Sequence, residues 1–141
     1  MSGGGFSQTR LGRYLSLSFN QPLGERIDPD GVRGYYVDLR VKATDPSWPT
    51  PDLPAPEGTL KVAIAQWGLG AFEHWLATGE EKWLAAARSA CEFFLSTQER
   101  QGPLAGGWPH SKAFPHSFEL PVGWLSGMAQ GEVASLSLIH I

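Results

Sequence analysis

One cysteine, Cys91, stands in the whole chain, so no disulfide framework is available and no thiolate cluster can hold a metal. Its place in the middle of a helical pattern suits a buried small hydrophobe better than a reactive thiol. No apolar run approaches the roughly 18 residues a membrane span requires. The opening Met1-Ser2-Gly3-Gly4-Gly5 lacks the basic-then-apolar layout of a secretory signal. These absences lead to the expectation of a cytoplasmic protein. Net charge is small, at −3. Residues 1–42 hold six Lys/Arg against four Asp/Glu, and the remainder five against ten. No dense basic stripe of the kind nucleic-acid binding needs is present, and the bland reading of Arg10, Arg13, Arg26, Arg33, Arg40 and Lys42 is solvated surface charge. The alternative is a polyanionic ligand meeting that basic N-terminal part. Histidines are few, and His110 and His116 lie six apart in a proline-rich stretch without Cys or acid partners, so neither a metal nor any other cofactor is expected.

What is present divides into pieces. In residues 1–42, Leu11, Leu15 and Phe19 suggest a short helix, although Tyr14 to Phe19 also alternates. GYYVDLRV, residues 34–41, alternates with Tyr35, Val37, Leu39 and Val41 on one side and Tyr36, Asp38 and Arg40 on the other. That period predicts a half-buried strand. Its polar face suits a sugar ring, or else is a surface strand with an Asp38/Arg40 pair. Residues 43–58 carry five prolines in sixteen positions, which predicts an extended linker, with Trp48 as a plug against the neighbouring surface.

From Leu60 to Thr78 the chain is apolar nearly all round; between Val62 and Leu76 the only polar residues other than Gly are Gln66, Glu73 and His74. A buried helix is expected, stopped by Gly79. Residues 80–99 differ: Glu81, Ala85, Arg88, Glu92, Ser96 and Glu99 form one wet stripe, opposite Trp83, Leu84, Ala87, Cys91, Phe94 and Leu95. The short turn between the two predicts an antiparallel helical hairpin with the first helix more buried. A Gly/Pro-rich loop follows, longer than a connector needs and therefore a functional candidate. Trp124 is then expected to open a third, buried helix. Buried helices alternating with an amphipathic one predict an all-α fold, two layers of hairpins over residues 59–135 forming part of an α/α toroid. A closed ring of about a dozen helices needs on the order of 250 residues.

GYYVDLR, VAIAQWGLGAFEHWLATGEEKWL, GGWP and GWLSGMAQGEVASL follow one another in an order and spacing that resemble the C-terminal helical domain of the D-glucuronyl C5-epimerases. That family shows stretches such as VAIAQYGLGAYERYLRTGDEAYL and WYSAMAQGQAISLLLRAY. The resemblance covers roughly residues 10–136. Gly127 stands where the family has Ala, and Glu132 where it has Gln. The family implies an enzyme that turns D-glucuronate into L-iduronate within a glycosaminoglycan-like polysaccharide. Its base and acid are a Tyr/Glu set lying downstream of the AMAQGQ-like helix. Tyr14, Tyr35 and Tyr36 precede the matched helices, so no catalytic residue is carried over.

The resemblance stops at Leu136-Ser137-Leu138-Ile139-His140-Ile141, the translation of CTG TCT CTT ATA CAC ATC, a transposon end used in sequencing libraries. Residues 136–141 are therefore expected to be adapter, and the chain a fragment without its own activity.

Candidate substrate-binding residues are Gln130 and Ser126, which share a face of the third helix, Trp108 in GGWP, and Tyr36 and Arg40 on the polar strand face. Gln130 and Ser126 would bond sugar hydroxyls, or else satisfy an inner-layer hydrogen bond. Trp108 would stack on a sugar or simply pack. Glu73 and Glu119 are the carboxylates open to chemistry, and nothing pairs them. The expected partner is a uronate-containing polysaccharide, with no nucleic acid and no membrane, and a homodimer of the full-length protein as one option. Two alternatives stand beside the epimerase: a glycoside hydrolase or polysaccharide lyase on the same toroid, and a non-catalytic helical carbohydrate-binding module.

Overall fold

A computed structural model of the chain describes residues 27–28, 31–32, 37–44, 53, 55, 57–115 and 119–140. The short helix expected at Leu11–Phe19, Tyr35, Tyr36 and Trp48 lie outside them. The chain divides into two compact units, Met1–Val37 and Asp38–Ile141. The division falls at Val37/Asp38, upstream of the proline-rich stretch that composition marks as a linker. In the first unit, β1 (Ile27–Asp28) pairs antiparallel with β2 (Gly31–Val32).

The second unit is mostly helical: α1 (Arg40–Thr44), α2 (Lys61–Thr78), α3 (Glu81–Thr97) and α4 (Gly127–His140). A short 3-10 turn (Gly102–Leu104) and a two-residue hairpin, β3 (Phe114–Pro115) with β4 (Glu119–Leu120), interrupt the long loop. The two central helices start and stop within a residue or two of where periodicity placed them. Gly79 closes α2 in the left-handed conformation, at φ 71°, and its N–H donates to Trp75 O, the closure a Cβ-free residue permits most easily. The wet stripe of α3 is exposed throughout, while Ala87, Ala90, Cys91 and Phe94 are buried. Leu95, assigned to the dry side, is exposed.

α2 is the hub. It packs against α1, α3 and α4, and Ile64, Ala65, Trp67, Leu69, Ala71 and Glu73 are all buried. Small residues make that possible. A Cβ on Gly68 would lie 2.7 Å from the Ala90 Cβ of α3 and 2.9 Å from a Leu136 methyl of α4. A Cβ on Gly70 would lie 2.2 Å from Leu39 O. At both positions the missing methyl lets another element reach van der Waals contact with the α2 backbone.

Two expectations are corrected. The described part of the expected strand at 34–41 is no strand: Leu39 leads into α1, and Arg40 and Val41 are already helical. Alternation alone does not make a strand; a ladder partner does. Here the Leu39 N–H is taken by Glu73 Oε2, and the Arg40 N–H by Asp38 Oδ1 at 3.0 Å. Asp38 thus satisfies one of the free donors at a helix start, and Leu39 O accepts from Lys42 N to close the first turn. The third helix opens at Gly127, not Trp124, and is buried on one face only. Ala129, Glu132, Val133 and Leu136 face α2 and α3, whereas Met128 is half exposed and Leu138 is 72% exposed. An apolar sequence all round a helix needs neighbours all round to be buried. Among the described residues α4 has them on one side.

Candidate functional site

The residues that carry chemistry lie in two places, one where α2 meets α4 and the segment leading into α1, the other where α4 meets the long loop. On α2, Gln66 and Glu73 share a face two turns apart, as their seven-residue spacing requires. Gln66 Nε2 donates to Glu132 Oε1 of α4 at 3.0 Å and approaches Met128 Sδ at 3.9 Å. Glu132 is 6% exposed, and its other oxygen, Oε2, is buried with no hydrogen-bond partner. Burial pushes this carboxyl up to about 7 from its ordinary 4.5, against the pull of the Gln66 bond and of the Lys42 charge on α1. A carboxyl so placed is poised between acid and carboxylate near neutral pH. Glu73 is 2% exposed and holds the segment leading into α1.

The long loop is fastened from α4. Gln130 Oε1 accepts the Trp108 backbone N–H at 2.9 Å, and Gln130 Nε2 donates to Trp108 O at 3.2 Å. This reciprocal pair treats the glutamine amide as if it were the next strand of a ladder. The Trp108 indole is buried edge-on to Phe94, and its Nε1–H donates to Phe94 O at 2.7 Å. His110 N and O both bond the backbone around Trp124 and Gly123. The His110 imidazole stacks on the Trp124 indole, with centroids 3.9 Å apart and planes 12° apart. Its Nε2 is buried without a partner, and burial, with the Lys61 charge second, holds its pKa below the usual value.

The sequence-nominated residues therefore take distinct places. Gln130 and Trp108 are joined, amide to backbone. Ser126 sits just before α4 and accepts the Ala129 N–H on Oγ at 3.2 Å, a helix-capping role. Arg40 is exposed, and its guanidinium pairs with the Asp38 carboxylate through two nitrogens. Tyr36 lies outside the described residues. Glu119 is exposed on β4 and is not brought to Glu73. Glu132 and His110 are not among the residues that the sequence nominates for binding. Glu132 falls at the three-to-four spacing of Ala129, Val133 and Leu136, so an acid on that buried row was the available signal.

Among the described residues no group of three or more His, Cys, Asp or Glu is placed to hold a metal ion, and no helix is long and apolar enough to cross a membrane. The charges on hand are local: Lys42 toward Glu132, Lys61 toward His110, and Asp38 with Arg40. Comparison with family models, curated proteins and solved structures finds no match.

Proposed function

We propose that this chain forms part of a uronate C5-epimerase, supplying one wall of the cleft in which D-glucuronate units of a polysaccharide become L-iduronate. The observation that carries this reading is a convergence. The stretches AQWGLGAFE, GGWP and GMAQGE, far apart in sequence, are the ones joined by the Gln66–Glu132 and Trp108–Gln130 hydrogen bonds. Nothing in their separate periodicities requires them to meet. In this reading the helices belong to two layers, with small residues on the inner one, of an α/α toroid in which α2 and α4 line the inside. A cytoplasmic setting goes with the same reading.

The chemistry defines what this wall supplies and what it leaves to other groups. The C5 hydrogen of a uronate is α to a carboxylate, so its removal places enolate charge on that carboxylate. A base on one face, an acid on the other and donors for the developing charge are required. Among the described residues, Glu73 is engaged with Leu39, Glu132 is enclosed between α2 and α4, and Glu119 is exposed on β4. None forms an opposed pair. In this reading the proton-transfer groups are the Tyr/Glu set that the resemblance implies, and Arg40, exposed beside its partner Asp38, is the cation offered to the polymer's carboxylates.

The test is deuterium incorporation at C5 of glucuronate units in a heparosan-type polymer in heavy water. The 141-residue chain is expected to give no exchange above a heat-killed control. A chain extended through the family's downstream helical region is expected to exchange. Exchange by the 141-residue chain would overturn this division of labour. An extended chain that cleaves the glycan without exchange would replace the epimerase with a hydrolase or lyase.

A further inference from the structure

We infer that Glu132 is a protonation-controlled clasp between α2 and α4, closed when its carboxyl is neutral and weakened when it ionises. The geometry carries this independently of the proposed activity. The carboxyl lies between two packed helices, with 6% of its surface exposed. One oxygen accepts a single bond from the Gln66 amide, and the other is shut away from solvent without a donor. A buried carboxylate ordinarily collects two or three donors, because each unmatched lone pair gives up hydration for nothing. Glu132 has one. As the neutral acid it keeps the Gln66 bond and loses only a weakly solvated hydroxyl, so the arrangement suits that form.

The surroundings reinforce the assignment. From α2, the facing polar group is Gln66, which bears no charge; Glu73 lies two turns along the same face and is bound to Leu39 N. From α3, the titratable group at the α4 contact is Cys91, whose Sγ–H donates to Leu136 O at 3.3 Å and whose pKa burial lifts to about 11. From α1, Lys42 is the cation whose field favours the ionised form, and burial overrides it. Two residues along α4 turn the clasp away from the Gln130–Trp108 pair, so weakening it would loosen the polar contact of α4 with α2 while leaving the apolar packing and the loop attachment in place.

A folded-state pKa raised above the unfolded value means that the clasp is at full strength below about pH 4.5. It weakens as pH rises and is fully spent once pH passes about 7. The experiment compares melting temperatures of the full chain and of Glu132→Gln at intervals from pH 5 to pH 8. Glutamine retains the shape and accepts the same Gln66 bond but cannot ionise. The wild-type chain is expected to lose about 5 °C or more relative to the variant between pH 5 and pH 7.5, then run parallel to it. Side-chain carbon NMR of the wild-type chain supplies a second reading that does not depend on the variant folding. One glutamate is expected to titrate near 7, and Lys42→Met is expected to raise that midpoint. Parallel melts across the whole window, or titration of every glutamate below pH 5.5, would overturn the inference.

Discussion

Glu73 Oε2 accepts the backbone N–H of Leu39 at 2.7 Å, across 34 residues of sequence. One helical turn away, the bare Cα of Gly70 receives the Leu39 carbonyl. Both the N–H and the C=O of Leu39 thus lie against one face of α2, the first by a hydrogen bond and the second by close approach, and His74 Nε2 donates to Arg40 O at 3.2 Å to continue the seam. This seam turns an alternating sequence into a helix start and brings Lys42 toward Glu132.

A methyl at Gly70 has nowhere to go without moving backbone. Gly70→Ala is expected to destabilise the chain by roughly 1–3 kcal/mol even though alanine is the better helix former, since overpacking outweighs propensity here. Gly131→Ala is the control. A Cβ at Gly131 on α4 meets nothing within 4 Å, so the same change is expected to stabilise by up to about 1 kcal/mol. Denaturant midpoints of the two variants check the contrast, and equal shifts of the same sign would count against the seam.

Gln130 holds the loop through both atoms of its amide. Gln130→Ala leaves the Trp108 N–H and carbonyl without their partners, at a cost of about 1–3 kcal/mol. Gln130→Glu keeps the acceptor but sets a carboxylate oxygen against Trp108 O. That variant is expected to be weaker than wild type at pH 8 and to recover as pH falls and the new carboxyl gains a proton. Fluorescence-monitored melts at pH 5 and pH 8 measure the difference.

His110 should oppose acid. Its pKa is depressed by burial and by Lys61, so the folded state resists a charge that the unfolded chain accepts near 6.5. Its contribution is intact above pH 6.5 and is lost as pH falls through the folded value. His110→Phe keeps a ring to stack on Trp124 and cannot titrate. Between pH 7 and pH 5 the wild-type chain is expected to lose melting temperature relative to this variant. A constant offset between the two would disprove the assignment.

Cys91 should be inert in the folded chain. Burial holds the thiol up at about 11, and its hydrogen goes to Leu136 O. At pH 8 a thiol reagent is expected to react at least ten times more slowly with native than with denatured chain. Equal rates would place Cys91 on an accessible surface.

Local pattern was enough for α2 and α3. A run with only Gln66, Glu73 and His74 as polar side chains between Val62 and Leu76, a glycine able to take positive φ at 79 and a wet stripe from Glu81 to Glu99 depend on neighbours a turn away, and those are visible in the sequence. The unequal burial of the two helices was legible for the same reason. Three matters depended on partners that no local window contains. The alternation of residues 34–41 gave way because the donor at Leu39 found Glu73 instead of a neighbouring strand. The apolar sequence of α4 became a half-buried helix because α2 and α3 cover one side of it. Glu132 became an enclosed carboxyl of raised pKa because burial desolvates it, while Gln66, 66 residues earlier, meets one of its oxygens and nothing meets the other. Which side chain is desolvated, and which donor reaches it, is a property of packed surfaces; periodicity supplies only the faces that are free to pack.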